Sequence, residues 1–266
     1  MDENRPFDRR LRRLRRARAS GGDADFLYRR AADDLIARLD LVARPFRTAL
    51  DLGWGDPHLA GLLSARGLEV VQCDEHDLPK VAGPFDLAVS VGLLDTVNDL
   101  PGALALIRRA LKPDGLFLAA FAGAGTLPRL RRAMRAGEEA QGTGAAPRIH
   151  PQIDVRAAGD LMTRAGFALP VVDRDIVEVR YSSLMRLVAD LRAMGATNQL
   201  AGQAAQPFSR IGLAAAIADF TEPGGKTVER FEIVHMSGWA PAPDQPQPAR
   251  RGSATASLAD ALKPKG

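Results

Sequence analysis

The stretch from Phe46 to Pro57 constrains the fold more than any other part of the chain. It reads Phe-Arg-Thr-Ala-Leu-Asp-Leu-Gly-Trp-Gly-Asp-Pro, an apolar run that ends in an acid and two glycines. Such a run, followed by a helical pattern, is typical of a buried strand that enters a nucleotide-binding turn. A second apolar run, Phe85 to Val91, predicts the next core strand. We therefore expect an open α/β sheet with a ligand at the carboxyl ends of its strands.

The interval between these two strands is short. Asp86 follows Asp51 by 86 − 51 = 35 positions, and a β-rich run, Leu68 to Cys73, occupies part of that interval. Residues 74–84 are then too few for a further helix and strand. We predict a sheet that is shortened by about one strand-helix unit and that has lost an edge, with its centre intact.

The remaining pattern predicts how the sheet is completed. Further strands are expected at residues 116–121, 171–181 and 228–239, and helices at residues 26–42, 58–66, 101–111, 155–165 and 183–194. This order predicts a doubly wound, Rossmann-like sheet with an antiparallel closing edge. Residues 21–240 would form the main domain, with a small helical cap at about 123–165 and 183–225. Residues 137–144 predict a flexible break, and residues 241–266 a Pro/Ser/Ala-rich tail.

Residues 1–20 form an arginine-rich leader. Eight arginines (5, 9, 10, 12, 13, 15, 16 and 18) outnumber three acids there, a local +5, so the rest of a chain of net charge +4 sums to about −1. The leader is either an arm for nucleic acid or another acidic partner, or a basic helix that packs on the body through Phe7, Leu11 and Leu14. We favour the packed helix and do not expect nucleic acid as a partner.

Composition argues against several other classes of protein. One cysteine, Cys73, cannot form an internal disulfide, and the four histidines lack ligand spacing, so we predict no metal site. No apolar run approaches the roughly 20 residues that span a bilayer. The start lacks the apolar core of a secretory signal, and its acids are atypical of a mitochondrial presequence. We expect a protein of the bacterial cytoplasm.

The residues around the glycine turn form the candidate cofactor site. Glycines after the first strand let the backbone approach a ligand, and an acid about 20 residues later binds ribose hydroxyls. Asp74 lies 74 − 51 = 23 positions beyond Asp51, which suits the ribose role. Asp77 follows Asp74 by three positions, in the same short segment. The alternative interpretation, a solvated acidic turn, stays open.

Several motifs resemble those of class I S-adenosylmethionine-dependent methyltransferases. They are Asp-x-Gly-x-Gly at 51–55 without a third glycine, Asp-Glu-His-Asp-Leu-Pro at 74–79, Phe-Asp-Leu-Ala-Val-Ser at 85–90, Val-Asn-Asp-Leu-Pro-Gly-Ala-Leu at 97–104 and Leu-Lys-Pro-Asp-Gly-Leu-Phe at 111–117. More specifically, the chain resembles the branch of the malonyl-acyl-carrier-protein methyltransferases and the complex I assembly factor that acts as a protein arginine hydroxylase. Motifs of the assembly factor extend from Phe7-Asp-Arg to Arg251-Gly-Ser-Ala-Thr255.

The resemblance implies S-adenosylmethionine as cofactor. The residues that it assigns to cofactor binding are Asp51, Gly53, Trp54, Gly55, Asp74, Asp77, Leu78 and Ser90. Trp54 and Asp56 depart from the family's turn, because they place a large ring and a negative charge beside the space for the methionine part of the ligand. Asp95 and Thr96 stand where relatives of this branch commonly show His-Trp, and the change removes an imidazole suited to proton transfer.

Only His150 and Tyr181 are left as candidate catalytic residues. His150 is either a base or a residue of a surface loop. Tyr181 ends an alternating strand, and its alternative role is packing with the hydroxyl at the rim of the site. Neither belongs to a recognisable catalytic dyad, but methyl transfer depends mainly on alignment of the reacting atoms.

Three functions are compatible with these residues. The first is S-adenosylmethionine-dependent methyl transfer to an unidentified acceptor, either a small molecule, an acyl-carrier group or a protein client. The second is a noncatalytic assembly or interaction factor of the complex I type with a degraded cofactor pocket. The third is protein arginine hydroxylation. We predict the first, because Asp51, Gly53, Gly55 and Asp74 are all retained.

Overall fold

The computed structural model describes residues 5–19, 25–53, 57–144, 146–202, 207–243 and 245. These residues form a six-stranded sheet of order β2-β1-β3-β4-β6-β5. The strands are β1 Thr48–Leu52, β2 Glu69–Cys73, β3 Phe85–Val91, β4 Leu111–Ala122, β5 Ala168–Tyr181 and β6 Thr227–Trp239. Strands β1 to β4 are parallel, and β6 pairs antiparallel with both β4 and β5. The predicted α/β sheet with an antiparallel closing edge is confirmed.

The sheet is shortened at the predicted edge. Residues 74–84 contain a single 3-10 turn, Leu78–Lys80, and no strand. β2 therefore lies at the edge, where Glu69 and Gln72 are exposed to solvent. The central strand β3 is buried along nearly its whole length, because it is covered on both faces.

Helices cover both faces of the sheet. They are α1 Arg9–Ala17, α2 Phe26–Asp40, α3 Pro57–Ser64, α4 Leu100–Ala110, α5 Pro128–Gln141, α6 Val155–Arg164, α7 Leu184–Ala193 and α8 Arg210–Phe220. Asp99 begins α4 by accepting a hydrogen bond from the Gly102 N–H at 2.9 Å, as its sequence position predicts. One apolar core lies between the sheet and helices α2 and α3, and the other between the sheet and helices α4 and α6. Of the described helices, none has both the length and the apolar character to cross a membrane.

A third apolar core forms the cap over one end of the sheet. Leu187 of α7, Phe220 of α8 and Phe231 of β6 are buried in it, together with residues of α5. In contrast, Ala158 and Met162 of α6 are buried against the main sheet. The predicted cap segment 123–165 is therefore divided, with α5 in the cap and α6 on the sheet.

The break predicted at Gly137 is wrong. Helix α5 continues to Gln141, and the chain turns only at Gly142, which has φ +71°. A side chain at Gly137 would bring its Cβ within 2.7 Å of the Gly212 carbonyl oxygen in α8. The glycine thus permits close contact of two helices, and this packing outweighs its low helix propensity.

Candidate functional site

The carboxyl ends of β1, β2 and β3 meet at one edge of the sheet because the three strands are parallel. This carboxyl-end edge is different from the side of the sheet that β2 forms. The register places Leu52 of β1 between Cys73 of β2 and Ser90 of β3. The residues that directly follow Leu52 and Cys73 are Gly53 and Asp74. The edge therefore brings together Asp51, Gly53, Asp74 and Ser90, four of the residues assigned to cofactor binding.

Polar groups at this edge are buried. The Asp51 carboxylate, in a residue only 3% exposed, accepts a hydrogen bond from the Gln72 side chain at 2.8 Å. The Gly53 N–H donates to the Cys73 carbonyl at 3.3 Å, which joins the ends of β1 and β2. Ser90 is fully buried, and its Oγ has no hydrogen-bond partner among the described residues.

Asp74 and the neighbouring Glu75 are held by arginines of α1. Arg12 donates to Asp74 Oδ1 at 3.2 Å, to Glu75 Oε2 at 2.8 Å and to the Thr96 carbonyl at 3.0 Å. Arg13 binds the other oxygen of Asp74 at 3.0 Å, and Arg9 binds Glu75 at 2.8 Å. The predicted ribose acid is therefore part of an ion-pair cluster, and the interpretation of residues 74–77 as a solvated turn is wrong at Asp74 and Glu75.

Helical spacing explains why α1 binds through arginines. Arg12, Arg13 and Arg16 follow Arg9 by three, four and seven positions, so the four arginines lie on one face of the helix. The Arg12 side chain is fully buried, whereas Leu14 is 43% exposed. The expectation that leucines anchor the leader is thus wrong for Leu14, although Phe7 is buried as predicted. The acids at 74 and 75 were the sequence signal for this contact.

The same N-terminal segment also contacts the cap. The Asp8 N–H donates to the Gln199 carbonyl at 2.9 Å. Arg15 reaches the Thr197 hydroxyl at 2.9 Å, and Arg16 the Met194 carbonyl at 3.0 Å. We call residues 6–17 the N-terminal strap, because they join the acidic loop after β2 to the loop after α7.

Two of the other predicted cofactor residues, Asp77 and Leu78, do not join this cluster. Trp54 and Gly55, with Asp56, lie outside the described residues, so their assignment stays a prediction. Asp77 is exposed and pairs with Lys80 at 3.4 Å. Leu78 is buried in the core beneath the sheet. Within the described ranges, no three His, Cys, Asp or Glu side chains are grouped so that they could hold a metal ion.

A cavity of about 240 Å³ opens beside the edge, between the carboxyl ends of β3 and β4 and the cap. Most of its wall is apolar and includes Val91, Ala120, Leu127, Leu130 and Met194. Tyr28 of α2 packs directly on Gly92, where a Cβ would lie 2.4 Å from the tyrosine ring. Gly92 also has φ +65°, so both the close tyrosine ring and the backbone conformation require glycine there. Sequence reasoning missed this cavity because its wall is assembled from distant segments.

The cavity contains one of the two candidate catalytic residues. His150 lines the wall, and burial, with the positive charge of Arg15, lowers its pKa to about 4. Its Nε2 accepts a hydrogen bond from the Gln199 N–H at 2.8 Å. The neutral ring therefore helps to hold the loop after α7, which the strap also contacts. Tyr181 is 2% exposed in the cap core and does not line the cavity. His150 thus lies in a loop, as one alternative had it, but on the cavity wall, and Tyr181 packs as its alternative role predicts, with its hydroxyl buried in the cap core and not at the rim.

Asp95 also lines the cavity, a role that sequence reasoning did not assign to it. Its Oδ1 is buried and has no hydrogen-bond partner among the described residues. Burial raises the pKa of Asp95 to about 6, and a hydrogen bond from its own backbone N–H and the positive charge of Arg12 partly oppose that shift. A carboxyl group thus stands where the sequence had suggested only a lost imidazole.

Comparisons with known proteins agree with this architecture. A family model described as a methyltransferase domain matches residues 26–119. The arginine-hydroxylase NDUFAF5 of Danio rerio is 34% identical over 97% of this chain and 89% of its own length. The malonyl-[acyl-carrier protein] O-methyltransferase of Laribacter hongkongensis is 30% identical over 85% of this chain and 87% of its own length.

Likeness to a solved structure supports the fold and nothing beyond it. A Bacillus halodurans protein, assigned as a methyltransferase, superposes with a TM-score of 0.52 and 14% identity. The match covers 79% of this chain and 99% of that protein.

Proposed function

Because the chain belongs to the class I S-adenosylmethionine-dependent methyltransferase family, in the branch of the arginine-hydroxylase NDUFAF5 proteins and the malonyl-[acyl-carrier protein] O-methyltransferases, we propose that it is a working methyltransferase. S-Adenosylmethionine would bind at the carboxyl ends of β1 to β3. The acceptor would occupy the adjoining cavity. The observation that carries this proposal is the position of that cavity, whose wall includes Val91 and Gly92 at the end of β3.

The residues at the sheet edge fit an adenosyl group. Ser90 lies at the end of β3 beside Leu52, where the ligand would approach the sheet. Asp74 accepts hydrogen bonds from two arginines, but a carboxylate has about four acceptor positions, so ribose hydroxyls can still be accommodated. When bound, the cofactor would supply a methyl group activated by a sulfonium. Asp51 and Gly53 would orient the ligand, and the strap would limit access of water to it.

The acceptor side favours an apolar group. Because most of the cavity wall is apolar, binding there removes apolar surface from water and aligns the acceptor with the donor edge. His150 would hold the cavity wall in place and would not act as the base. A pKa of about 4 leaves the ring neutral and weakly basic at neutral pH. An acyl-carrier group and a protein side chain both stay candidates for the acceptor, as does a small molecule.

One observation favours a noncatalytic assembly or interaction factor instead. Both oxygens of Asp74 are already bound by Arg12 and Arg13, so the strap competes with ribose for the same carboxylate. In that case the fold would act as a scaffold for a protein client. Arginine hydroxylation is the other alternative, and it rests on the names of the relatives. Those relatives include mitochondrial proteins, so a bacterial cytoplasmic location stays a prediction.

Calorimetric titration of the full chain with S-adenosylmethionine and S-adenosylhomocysteine tests the proposal. We expect saturable binding of both ligands and at least a tenfold loss of affinity in Asp74→Ala. Asp40→Ala, which removes an exposed acid of α2 outside the cluster, is the matched control and should bind normally. Absence of binding by both ligands would favour the noncatalytic factor, and a pull-down with and without residues 1–18 would then identify whether the strap recruits a client.

A further inference from the structure

We propose that two copies of the chain associate through β5, with the two strands antiparallel and centred on Ile176. β5 is the last strand of the sheet, and no strand among the described residues pairs with its outer side. A free edge presents a row of backbone N–H and C=O groups with which another strand can pair. The dimer would then contain one continuous sheet. The inference is independent of the proposed function, because no residue of β5 lines the cavity.

The outer edge of the sheet at β5 is long and open to solvent. The strand has 14 residues, whereas edge strands are often kept short or covered to prevent association. Between residues 174 and 180, the even-numbered side chains are exposed and the odd-numbered ones are half-buried. The exposed set includes the apolar Ile176, which is 42% exposed. An apolar side chain at the middle of a free edge favours a contact with another strand.

The charges of β5 are complementary to those of a second β5. In an antiparallel pair centred on Ile176, a residue two positions before the centre lies opposite the residue two positions after it. Arg174 then faces the partner's Glu178, and the two-fold symmetry repeats this pair on the other side of the centre. Opposite charges directly across two strands stabilise the pairing. Two ion pairs would therefore flank the contact between the two Ile176 side chains.

Neighbouring registers lack this complementarity. The two-fold axis of such a dimer is perpendicular to the sheet, so the centre of the pairing falls on a residue. A centre at Asp175, Arg174 or Glu178 would place that charged residue opposite its own copy. A centre at Val177 would place Arg174 opposite the partner's Arg180. Like charges directly opposite each other destabilise a strand pair, so the register at Ile176 is favoured over these four.

The side chains in the proposed contact are available for it. The Arg174 side chain is 54% exposed, and its ion pair with Glu232 at 3.0 Å leaves further N–H groups of the guanidinium for a second carboxylate. Glu178 is exposed and forms no ion pair within the described part of the chain. On the other face of the strand, Asp173 and Asp175 are already paired with arginines of α2 at 2.7 and 2.8 Å. Charged side chains on an edge usually prevent pairing, but here their order suits a second copy.

Sedimentation velocity of the full chain over a range of concentrations tests the association without any cofactor. A single pair of strands gives a small interface, so we expect a reversible dimer. Glu178→Lys would place like charges opposite each other twice, and it should raise the dissociation constant at least tenfold. Glu139→Lys makes the same change of charge at an exposed position of α5, and it should leave the dissociation constant unchanged. A chain that stays monomeric, or a dimer that is equally stable in Glu178→Lys, would overturn the proposal.

Disulfide cross-linking tests the register. Ile176→Cys should form a cross-linked dimer, because the two Cβ atoms would lie about 5 Å apart. Arg180→Cys alone should not, because its two copies would be separated by about 27 Å along the strands. A mixture of Val172→Cys and Arg180→Cys should form the mixed dimer, since these positions lie opposite each other in this register. The parent chain, with its single Cys73, gives the background.

All the positions changed here are exposed or half-buried, and circular dichroism will show that the variants fold. Cross-linking of Ile176→Cys at the background rate, or equal cross-linking of Arg180→Cys alone, would refute the register. Because these measurements contain no S-adenosylmethionine, their failure is distinguishable from a failure of the cofactor site.

Discussion

Replacing Arg12 by alanine should destabilise the protein more than any other single change in the strap. The Arg12 side chain is fully buried, and its partner Glu75 has a side chain that is only 3% exposed. Removal of the guanidinium leaves a buried carboxylate that has lost one of its two ion pairs, and it leaves the Thr96 carbonyl without the Arg12 hydrogen bond.

The magnitude follows from the burial of the pair. Removing one partner of a buried ion pair typically costs about 3–5 kcal/mol, because an uncompensated charge remains inside. Arg9 still pairs with Glu75, and release of α1 would admit water, so we expect a loss of about 3 kcal/mol. The neighbouring Arg13 has a side chain that is 55% exposed, and its pair with Asp74 should be worth only about 0–1 kcal/mol.

Urea unfolding followed by circular dichroism measures both changes, with Arg13→Ala as the matched control. Hydrogen exchange of residues 5–19 should rise in Arg12→Ala, since the strap would open locally before the sheet unfolds. A double variant, Arg12→Met with Glu75→Leu, should recover most of the loss, because it removes both charges together. If Arg12→Ala cost no more than Arg13→Ala, the reasoning from burial would be refuted.

Two further predictions concern packing and pH. Gly137→Ala should lower the free energy of unfolding by about 1–3 kcal/mol, because its Cβ would meet the Gly212 carbonyl, whereas Gly61→Ala in open space on α3 should be neutral or stabilising in the same urea assay. For Asp86, burial raises the pKa, but hydrogen bonds from Lys112 and from backbone N–H groups outweigh it and lower the pKa to about 2. The stabilisation is thus complete above the unfolded pKa of about 3.9 and is lost as pH falls toward 2. Asp86→Asn should therefore be less stable than the parent at pH 6 and similar at pH 2, and an equal difference at both would contradict this account.

Local patterns in the chain were enough to predict much of the sheet. Phe85–Val91 forms β3 with the expected bounds, and Asp99 caps α4 as its position indicates. The short interval before Phe85 predicted the missing edge unit, because chain length limits how many elements can be placed between two strands. The predicted start of β4 is less accurate. The strand begins at Leu111 and not at residue 116, since pairing with β3 extends it beyond its apolar run.

The candidate site was predicted in part. The positions of Asp51, Gly53, Asp74 and Ser90 at one edge follow from parallel strands ending together, a property of the fold class. The strap was predicted as a packed helix but with the wrong anchor, because apolar periodicity does not register a buried ion pair. The pairing of Arg12 with Asp74 joins residues 62 positions apart, which no local pattern encodes.

The amino-acid sequence by itself therefore determined the central strands of the sheet, the missing unit at its edge and the family. These features depend on local periodicity, chain length and short motifs. Only the tertiary structure decided which residues surround the site at the carboxyl ends of β1 to β3. Asp95, Gln199 and His150 come from separate segments and meet in one cavity only after the cap and the strap have packed. Burial and the charges of distant residues then set the ionisation of Asp95 and His150, and those properties exist only in the folded chain.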